Sequence, residues 1–224
     1  MISVNNLSKG YQGENALEGI NFELPEGSRT AISGPSGSGK TTLLRLLAGL
    51  ELPDQGEIHL DGVLASRPGW ALPPHMRRVG MVFQSPALWP HMTLAENITF
   101  GIDGLPKPKV RERLEELLDS CVLVGLENRF PEQISGGEAR RAALARALAP
   151  RPNILLMDEP LTNLNPELKA NLLELIRTVT RDVVTLIYVT HERKEAKYLC
   201  QEIWTLQKGK LYKNSHTPQE EGSS

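Results

Sequence analysis

The 224-residue chain carries 25 lysines and arginines against 27 aspartates and glutamates, a formal net charge of -2 at pH 7. This length allows a sizeable core in one large domain or two small ones, and the near-neutral charge argues against a nucleic-acid surface. Two cysteines cannot form a disulfide framework, no signal segment is recognisable, and the longest apolar run, residues 183–189, is far shorter than the roughly 20 residues of a membrane span. We therefore expect a soluble, cytoplasmic protein that reaches any membrane through a partner.

The first 33 residues favour β structure. Alternating stretches at residues 2–4 and 19–24 predict strands, and residues 25–27 predict a turn. We expect Tyr11 in a loop between these strands. There it is either a partly exposed packing residue or a platform on which a purine stacks.

A glycine-rich run over residues 34–42 fits G-x-x-x-x-G-K-[ST], the phosphate-cradling P-loop. The run consists of Gly34, Pro35, Ser36, Gly37, Ser38, Gly39, Lys40, Thr41 and Thr42. A predicted strand over 29–33 and a predicted helix over 43–48 flank it in the required order. Glycines let backbone N–H groups point at an anion, and the helix N-terminus adds about half a positive charge. Lys40 would reach the β- and γ-phosphates of a nucleoside triphosphate, and the Thr41 hydroxyl would hold Mg²⁺.

The segment after the P-loop helix alternates turns and strands. Residues 52–56 predict a turn, and 57–62 predict a strand that closes on an Asp-Gly turn. Residues 66–74 predict a loop, because prolines and glycines oppose regular structure. Residues 79–83 predict an apolar strand. Gln84 at its end is either ordinary surface or a neutral oxygen ligand that senses Mg²⁺.

Residues 85–150 change character and are predicted to be mostly helical. Residues 85–92 form a proline-bounded loop with large apolar side chains, which suit either a partner surface or a core plug. One predicted helix shows apolar residues at helical spacing, namely Val110, Leu114, Leu117, Leu118 and Cys121. An alanine-rich helix to Ala149 follows the segment Ile134, Ser135, Gly136, Gly137 and Glu138.

The apolar run at residues 154–157 is typical of a strand buried on both faces of a parallel sheet, and it ends in Asp158 and Glu159. Adjacent carboxylates there are costly unless they meet a cation or do chemistry. Asp158 can order the Mg²⁺ shell. Glu159 can orient and polarise an attacking water. Asn165 and Pro166 predict the N-cap and first residue of the next helix.

Residues 183–189 predict a further buried strand that leads to Thr190 and His191. A lone histidine after a strand is more often structural than catalytic, yet strand C-termini meet ligands in open α/β sheets. Residues 214–224 are polar and are expected to be disordered.

The chain resembles the nucleotide-binding subunits of ABC transporters up to about residue 212. The resemblance is carried by the P-loop, Gln84, the segment 134–138, the strand ending in Asp158 and Glu159, and His191. The Ser-Gly-Gly segment upstream of an apolar-Asp-Glu strand makes this resemblance specific. It implies an α/β P-loop NTPase: a RecA-like parallel sheet core with an antiparallel β subdomain and an inserted helical subdomain at 85–150. It also implies one ABC ATPase domain over 1–212.

The resemblance implies a head-to-tail dimer with a second copy or a homologous ATPase subunit. Two ATP molecules would lie between the P-loop of one subunit and residues 135–138 of the other. By the same resemblance, Tyr11 stacks on adenine, Gln84 senses Mg²⁺, Glu159 is the catalytic carboxylate and His191 contacts the γ-phosphate. The implied cofactors are ATP and Mg²⁺.

Two residues depart from the family pattern. Glu138 stands where the family usually has Gln, and Ser135-x-x-Glu138 is also a capping box. We hypothesise that Glu138 serves the helix cap and does not face the phosphate. Asn165 stands where the family generally has Asp; we expect hydrolysis to survive with altered cooperativity between the two sites.

Residues 74–84 and 88–97 resemble the importer ATPases for ferric iron, sulfate, polyamines and sugars. This implies ATP hydrolysis that drives solute import through separate transmembrane permease subunits. The resemblance also implies a solute-binding protein as a partner and a location at the cytoplasmic face of the inner membrane. The loop 85–92 would receive the permease. We expect no bound nucleic acid and no added C-terminal regulatory domain.

Two alternative functions remain. One is a soluble ABC-type ATPase outside transport. The other is a small-molecule kinase, but a kinase would not explain the presence of Ser135-Gly136-Gly137.

Overall fold

The computed structural model describes residues 1–181 and 185–214. The predicted strand at 183–189 is therefore seen from Thr185 onward. The predicted disordered tail lies, apart from residue 214, outside the described residues. No helix in these two ranges is long and apolar enough to cross a membrane.

The described chain contains eleven strands and six α-helices. The strands are β1 Ile2–Tyr11, β2 Glu14–Leu24, β3 Arg29–Ser33, β4 Gln55–Leu60, β5 Val63–Arg67, β6 Trp70–Ala71, β7 Val79–Val82, β8 Ile154–Asp158, β9 Thr185–Val189, β10 Glu202–Gln207 and β11 Lys210–Asn214. The helices are α1 Lys40–Ala48, α2 Leu94–Thr99, α3 Lys107–Ser120, α4 Gly136–Leu148, α5 Pro166–Val179 and α6 Arg193–Leu199.

The strands form two sheets. One has the order β2-β1-β4-β5-β6, and all its pairs are antiparallel. The other has the order β11-β10-β3-β9-β8-β7, and it is parallel from β10 to β7. Strands β8 and β9 are entirely buried, which matches the apolar runs that predicted them, and the predicted strand β3 is buried at its three central residues. Because β7 and β8 are neighbours, the helical section 85–150 is inserted between two paired strands.

Two apolar clusters fill the interior. The first packs the antiparallel sheet and α1 against one face of the parallel sheet. The second packs α2 to α5 against the other face. The helix positions predicted from 3.6-residue spacing in α3 and from the Ser135 cap of α4 are confirmed. Asn165 also caps α5 as predicted, since its Oδ1 accepts from Leu168 N at 2.8 Å.

Two predictions about the antiparallel sheet are wrong. Tyr11 is the last residue of β1 and pairs with Glu14, so the intervening turn is only two residues long. The expected loop 66–74 instead contains a hairpin, in which Ser66 pairs with Ala71 and Gly69 turns the chain with φ of 75°. In both places a glycine, Gly13 or Gly69, lies in a tight turn between paired strands.

Arg77 fixes the far end of α1. Its side chain is buried and donates to the Leu46 and Leu47 carbonyls at 3.1 and 3.0 Å and to the Ala65 carbonyl at 2.8 Å. Burial lowers the pKa of this guanidinium to about 10. Arg77 thereby satisfies carbonyls at the C-terminus of α1 and ties the P-loop helix to the β5–β6 hairpin.

Candidate nucleotide-binding site

The P-loop runs from the end of β3 to the start of α1, and two of its glycines have no room for a side chain. A Cβ on Gly34 would lie 2.1 Å from the Leu206 carbonyl oxygen, and one on Gly39 would lie 2.3 Å from the Ala16 carbonyl oxygen. Gly39 also has φ of 102°, a conformation that favours glycine. The loop backbone is thus pressed between β10 and β2, which fixes its curved path into α1.

Lys40 folds back over this loop. Its Nζ donates to the carbonyls of Gly34 at 2.9 Å and Pro35 at 3.0 Å, and lies 3.7 Å from Oε1 of Glu159. The lysine side chain is 6% exposed. The two carbonyl contacts are to neutral groups, so they do not compete with a phosphate as a charged partner for this side chain.

The parallel register brings the predicted site residues to one edge of the sheet. Asp158 at the end of β8 pairs with Val189 at the end of β9, and Val189 pairs with Ile32 near the end of β3. The P-loop, His191 and Glu159 therefore continue from three neighbouring strands at the same level. On the other side Val82 pairs with Met157, so the chain continues from β7 to Gln84 beside the end of β8.

Glu159 lies at the centre of these contacts. Its Oε2 is 3.2 Å from His191 Nδ1 and accepts from the Thr162 hydroxyl at 3.3 Å. Its backbone N–H donates to the Val189 carbonyl at 3.0 Å, and its φ is 44°. A left-handed conformation in a non-glycine residue is strained, and such strain is concentrated at functional positions. It turns the chain sharply immediately after Asp158.

Asp158 is a buried carboxylate with an oxygen donor beside it. The residue is 6% exposed, and the Thr41 side chain lies beside its carboxylate. Burial raises the pKa of Asp158, and the nearby Glu159 charge raises it further, whereas the Thr41 side chain and Lys40 oppose the rise. A costly buried charge next to a hydroxyl fits a divalent cation.

The described residues contain no group of three or more His, Cys, Asp or Glu side chains arranged to hold a metal ion. Mg²⁺ does not require such a group, because it is commonly held by one or two protein oxygens, substrate phosphates and water. Thr41 and Asp158 could supply such a pair of oxygens. Gln84 contributes a third from the neighbouring strand end only if its exposed side chain turns inward.

Tyr11 lies beside the P-loop although it is distant in sequence. Its hydroxyl donates to Glu51 and lies near the side chain of Thr42 in the first turn of α1. Burial and the Glu51 carboxylate raise the pKa of Tyr11. The ring remains 44% exposed. The strand end thus presents a largely uncovered aromatic ring next to the phosphate-binding loop.

The segment 134–138, which we call the signature segment, lies elsewhere on the surface. Ser135 N donates to Glu138 Oε2 at 2.6 Å, and Glu138 N donates to Ser135 Oγ at 3.3 Å, which confirms the capping box. The hydrogen bond from the Ser135 backbone N–H is the main cause of the lowered pKa of Glu138. Gly136 is exposed and has open space around it, whereas Gly137 packs against Leu168 of α5.

The structure brings the P-loop, Asp158, Glu159 and His191 together but leaves the signature segment apart. Among the described residues, no hydrogen bond or ion pair joins 134–138 to 34–42. The site within one chain therefore lacks one of the parts that the sequence resemblance implies.

Sequence reasoning missed two groups of residues around the site. Glu195 of α6 is buried and accepts from the hydroxyls of Tyr188 at 2.9 Å and Thr190 at 2.7 Å, while Lys169 Nζ of α5 lies 3.2 Å from it. This network fixes the residue that precedes His191. Arg140 of α4 is the second, and its contacts are described below. Only tertiary packing reveals either, because glutamate, lysine and arginine on helices ordinarily indicate solvated faces.

A glycine-rich loop between a buried strand and a helix, with acidic side chains at nearby strand ends, defines a P-loop nucleotide-binding protein. A profile of the family described as ABC transporter matches residues 17–162, and the chain belongs to this family.

Curated relatives support the same assignment. The chain is 44% identical over 94% of its length to a sulfate/thiosulfate import ATP-binding protein (CysA) of Synechocystis sp.. It is 45% identical over 92% of its length to an Fe(3+) ions import ATP-binding protein (FbpC) of Pseudomonas fluorescens, and 41% identical over 94% to a putrescine transport ATP-binding protein (PotG) of Escherichia coli. The chain spans 59%, 58% and 56% of these relatives, respectively.

Solved structures confirm the predicted fold class. The ATP-binding cassette MJ0796, in a dimeric post-hydrolysis state bound to ADP and Pi, superposes with a TM-score of 0.83 at 31% identity and covers 94% of this chain and 96% of that one. The cbiO1 protein of Clostridium perfringens gives a TM-score of 0.82 at 27% identity, covering 94% and 86% respectively. The chain has the ABC cassette fold, with its parallel and antiparallel sheets.

Proposed function

We propose that the chain binds ATP and Mg²⁺ at its P-loop and hydrolyses the ATP within a dimer to drive solute import through a separate permease. The observation that carries this proposal is the convergence of the P-loop, Asp158, Glu159 and His191 at one sheet edge, with Lys40 3.7 Å from the Glu159 carboxylate.

In this proposal the P-loop N–H groups and Lys40 hold the β- and γ-phosphates, and the exposed Tyr11 ring stacks on adenine. Thr41, Asp158 and Gln84 would hold Mg²⁺, which when bound neutralises charge that develops on the phosphates. The buried, energetically costly carboxylate of Asp158 supports this assignment.

Glu159 orients the attacking water and accepts its proton while the water oxygen forms a bond to the γ-phosphorus. The bond from that phosphorus to the bridging oxygen breaks, ADP leaves with the electron pair, and Glu159 returns the proton to the phosphate product. His191 contacts the γ-phosphate. The distance of 3.2 Å between His191 and Glu159 supports this placement of both groups around one reacting phosphate.

The second half of each site would come from the signature segment of another subunit, either a copy of this chain or a homologous ATPase. Exposed Ser135 and Gly136 at the N-terminus of α4 suit that role, since a helix N-terminus attracts phosphate. The dimeric assembly of the related cassette MJ0796 supports a dimer here.

Import is supported by the relatives that transport sulfate, ferric iron and putrescine. The permease would dock on the loop 85–92, which Arg146 holds by donating to the Ala87 and Pro86 carbonyls at 2.7 and 3.0 Å. The Trp89 and Phe100 rings, 4.3 Å apart, lie beside it, and Phe100 is 55% exposed. The protein would then work at the cytoplasmic face of the inner membrane, together with a solute-binding protein.

The first test measures ATP hydrolysis and ATP-dependent dimerisation of the purified chain with Mg²⁺. Glu159→Gln should retain ATP binding, lower turnover by about 10²–10⁴-fold and accumulate the ATP-bound dimer. Lys40→Ala should weaken binding and turnover together. Glu26→Gln, at an exposed turn, is the matched control and should behave as wild type. Full activity in Glu159→Gln would contradict the assigned role.

The second test purifies the tagged protein from a mild detergent extract and identifies its partners. A co-purifying permease and solute-binding protein would support import, and the ligand of the binding protein would name the solute. Recovery with ribosomes or nucleic acid would instead favour a soluble ATPase outside transport.

A further inference from the structure

Arg140 of α4 joins three parts of the molecule through backbone carbonyls. Its Nη1 donates to the Gln84 carbonyl at 3.0 Å and to the Pro160 carbonyl at 2.8 Å, and its Nη2 donates to the Thr162 carbonyl at 3.0 Å. The guanidinium is half-buried, and burial lowers its pKa. The planar guanidinium of Arg140 is thus partly removed from water and bound to three neutral backbone carbonyls.

These acceptors belong to the two segments that carry proposed site residues. Gln84 continues β7, and its side chain is the proposed Mg²⁺ sensor. Pro160 directly follows Glu159, and the Thr162 hydroxyl donates a hydrogen bond to the Glu159 carboxylate at 3.3 Å. Arg140 therefore holds the backbone on the C-terminal side of Glu159 together with the backbone of Gln84.

Arg140 lies two residues beyond the signature segment and one helical turn after Gly136, the first residue of α4. Residues 136 to 148 form one continuous helix, so a displacement of its first turn also moves Arg140. The planar guanidinium fork would pass that displacement to both carbonyl-bearing segments, since each is bound directly. A lysine at this position could not reproduce the fork.

We infer that Arg140 is a positioning residue, which couples the signature helix to Gln84 and Glu159 of the same subunit. The inference rests on the proposed function, in which the signature segment contacts nucleotide held by the partner. When the start of α4 contacts the nucleotide held by the partner, Arg140 would transmit the displacement to Gln84 and Glu159. These two residues act on the nucleotide held by their own subunit.

Arg140→Met removes the donors but keeps much of the side-chain bulk, and Arg140→Gln keeps two N–H donors as a second variant. Arg113→Met is the matched control, because Arg113 also donates to two carbonyls of the region around α4, those of Leu148 and Ala149 at 2.7 and 3.4 Å. These lie at the opposite end of the helix from the signature segment.

The first measurement is hydrogen exchange in the nucleotide-free proteins, which requires no activity. Arg140→Met should raise exchange in peptides that cover 84–88 and 160–164, and Arg113→Met should leave both unchanged. The second measurement is ATP hydrolysis. We expect kcat of Arg140→Met to fall by about 10- to 100-fold, because misplacement of catalytic groups by about 1 Å has this effect. The KM for ATP should stay within about threefold, and Arg140→Gln should recover part of the kcat.

Three outcomes would overturn the inference: exchange at both segments equal to that of Arg113→Met, raised exchange with unchanged kcat, or reduced kcat with unchanged exchange. A wild-type protein that does not hydrolyse ATP would instead refute the proposed function. The exchange measurement would still decide whether Arg140 holds the two segments together.

Discussion

The P-loop and the signature segment both begin a helix, but they are held in different ways. At α1 the cap is Gly39, and no side chain in the described structure caps the helix. The loop there is shaped by contacts with β2, β10 and Lys40. At α4 the cap is a self-contained box between Ser135 and Glu138, and Gly136 has open space around it.

This difference teaches how one chain can carry two unequal halves of a site. The P-loop is shaped by long-range packing, so its conformation depends on the whole fold. The signature segment is capped by hydrogen bonds over three residues, and its Ser135 and Gly136 face solvent while Gly137 packs against Leu168 of α5. An exposed surface with a local cap suits contact with another molecule.

Complementation between variants tests this division directly. Lys40→Ala and Gly136→Asp should each lower hydrolysis by at least about 10²-fold, the latter because its carboxylate repels phosphate. A mixture of the two should recover up to about a quarter of wild-type activity, since half of randomly paired dimers are mixed and hold one intact site of two.

The control for that mixture pairs Lys40→Ala with Glu159→Gln. Both changes fall in the same half, so every mixed dimer has two damaged sites and no activity should return. Recovery in this control, or none with Gly136→Asp, would contradict a division between the P-loop half and the signature half.

Alanine substitutions in the two glycine-rich segments should differ strongly in stability. Gly39→Ala places Cβ 2.3 Å from the Ala16 carbonyl oxygen at a φ of 102°. We expect a loss of about 3 kcal/mol or more in the free energy of unfolding, from strain and overpacking. Gly136→Ala meets no atom within 4 Å, so its stability should change by less than about 1 kcal/mol. Urea denaturation measures both, and equal losses would refute the contrast in packing.

Much of the P-loop half could be predicted from sequence because its signals are local. The strand, the glycine run, the helix and the carboxylates Asp158 and Glu159 each follow from neighbouring residues. The Ser135 cap of α4 is equally local. The wrong loop at residues 66–74 arose because proline and glycine mark tight hairpin turns as well as longer loops.

Other parts of the site depend on which segments meet in space. Tyr11 comes to Thr42 only because β1 extends to the edge beside α1. Arg140 reaches the Gln84 and Pro160 carbonyls only because β7 and β8 are neighbours and α4 packs against β7. No spacing along the chain reports either meeting. The family resemblance alone placed Tyr11 at the nucleotide, and nothing in the sequence indicated the role of Arg140.

Removal of the Asp158 charge should stabilise the nucleotide-free protein while it impairs Mg²⁺-dependent binding. Burial is the main cause that raises the pKa of Asp158 above its ordinary value of 3.8, so the ionised form is penalised in the folded state. Asp158→Asn should raise Tm by about 2–4 °C at pH 7, the shift that about 1 kcal/mol produces in a domain of this size. Glu138→Gln, in the exposed signature segment, should leave Tm unchanged.

The sign of the pH dependence follows from the raised pKa. Folding binds protons between pH 3.8 and the higher folded pKa of Asp158, so this residue costs stability as the pH rises through that window. The advantage of Asp158→Asn should be full above the window and shrink as the pH falls into it. An advantage that grows on acidification, in thermal melts of both proteins, would contradict a desolvated carboxylate.

The smallest effect is expected from Glu138→Gln, because either side chain completes a capping box. The Glu138 carboxylate accepts from Ser135 N at 2.6 Å, which keeps it bound to its own helix. ATP-dependent dimerisation, followed by light scattering, should therefore change by less than about threefold, and stability by less than about 0.5 kcal/mol. Glu132→Gln, an exposed change nearby, is the control. Much tighter dimerisation in Glu138→Gln alone would mean that Glu138 faces the phosphates and repels them, and that the signature segment is not self-contained.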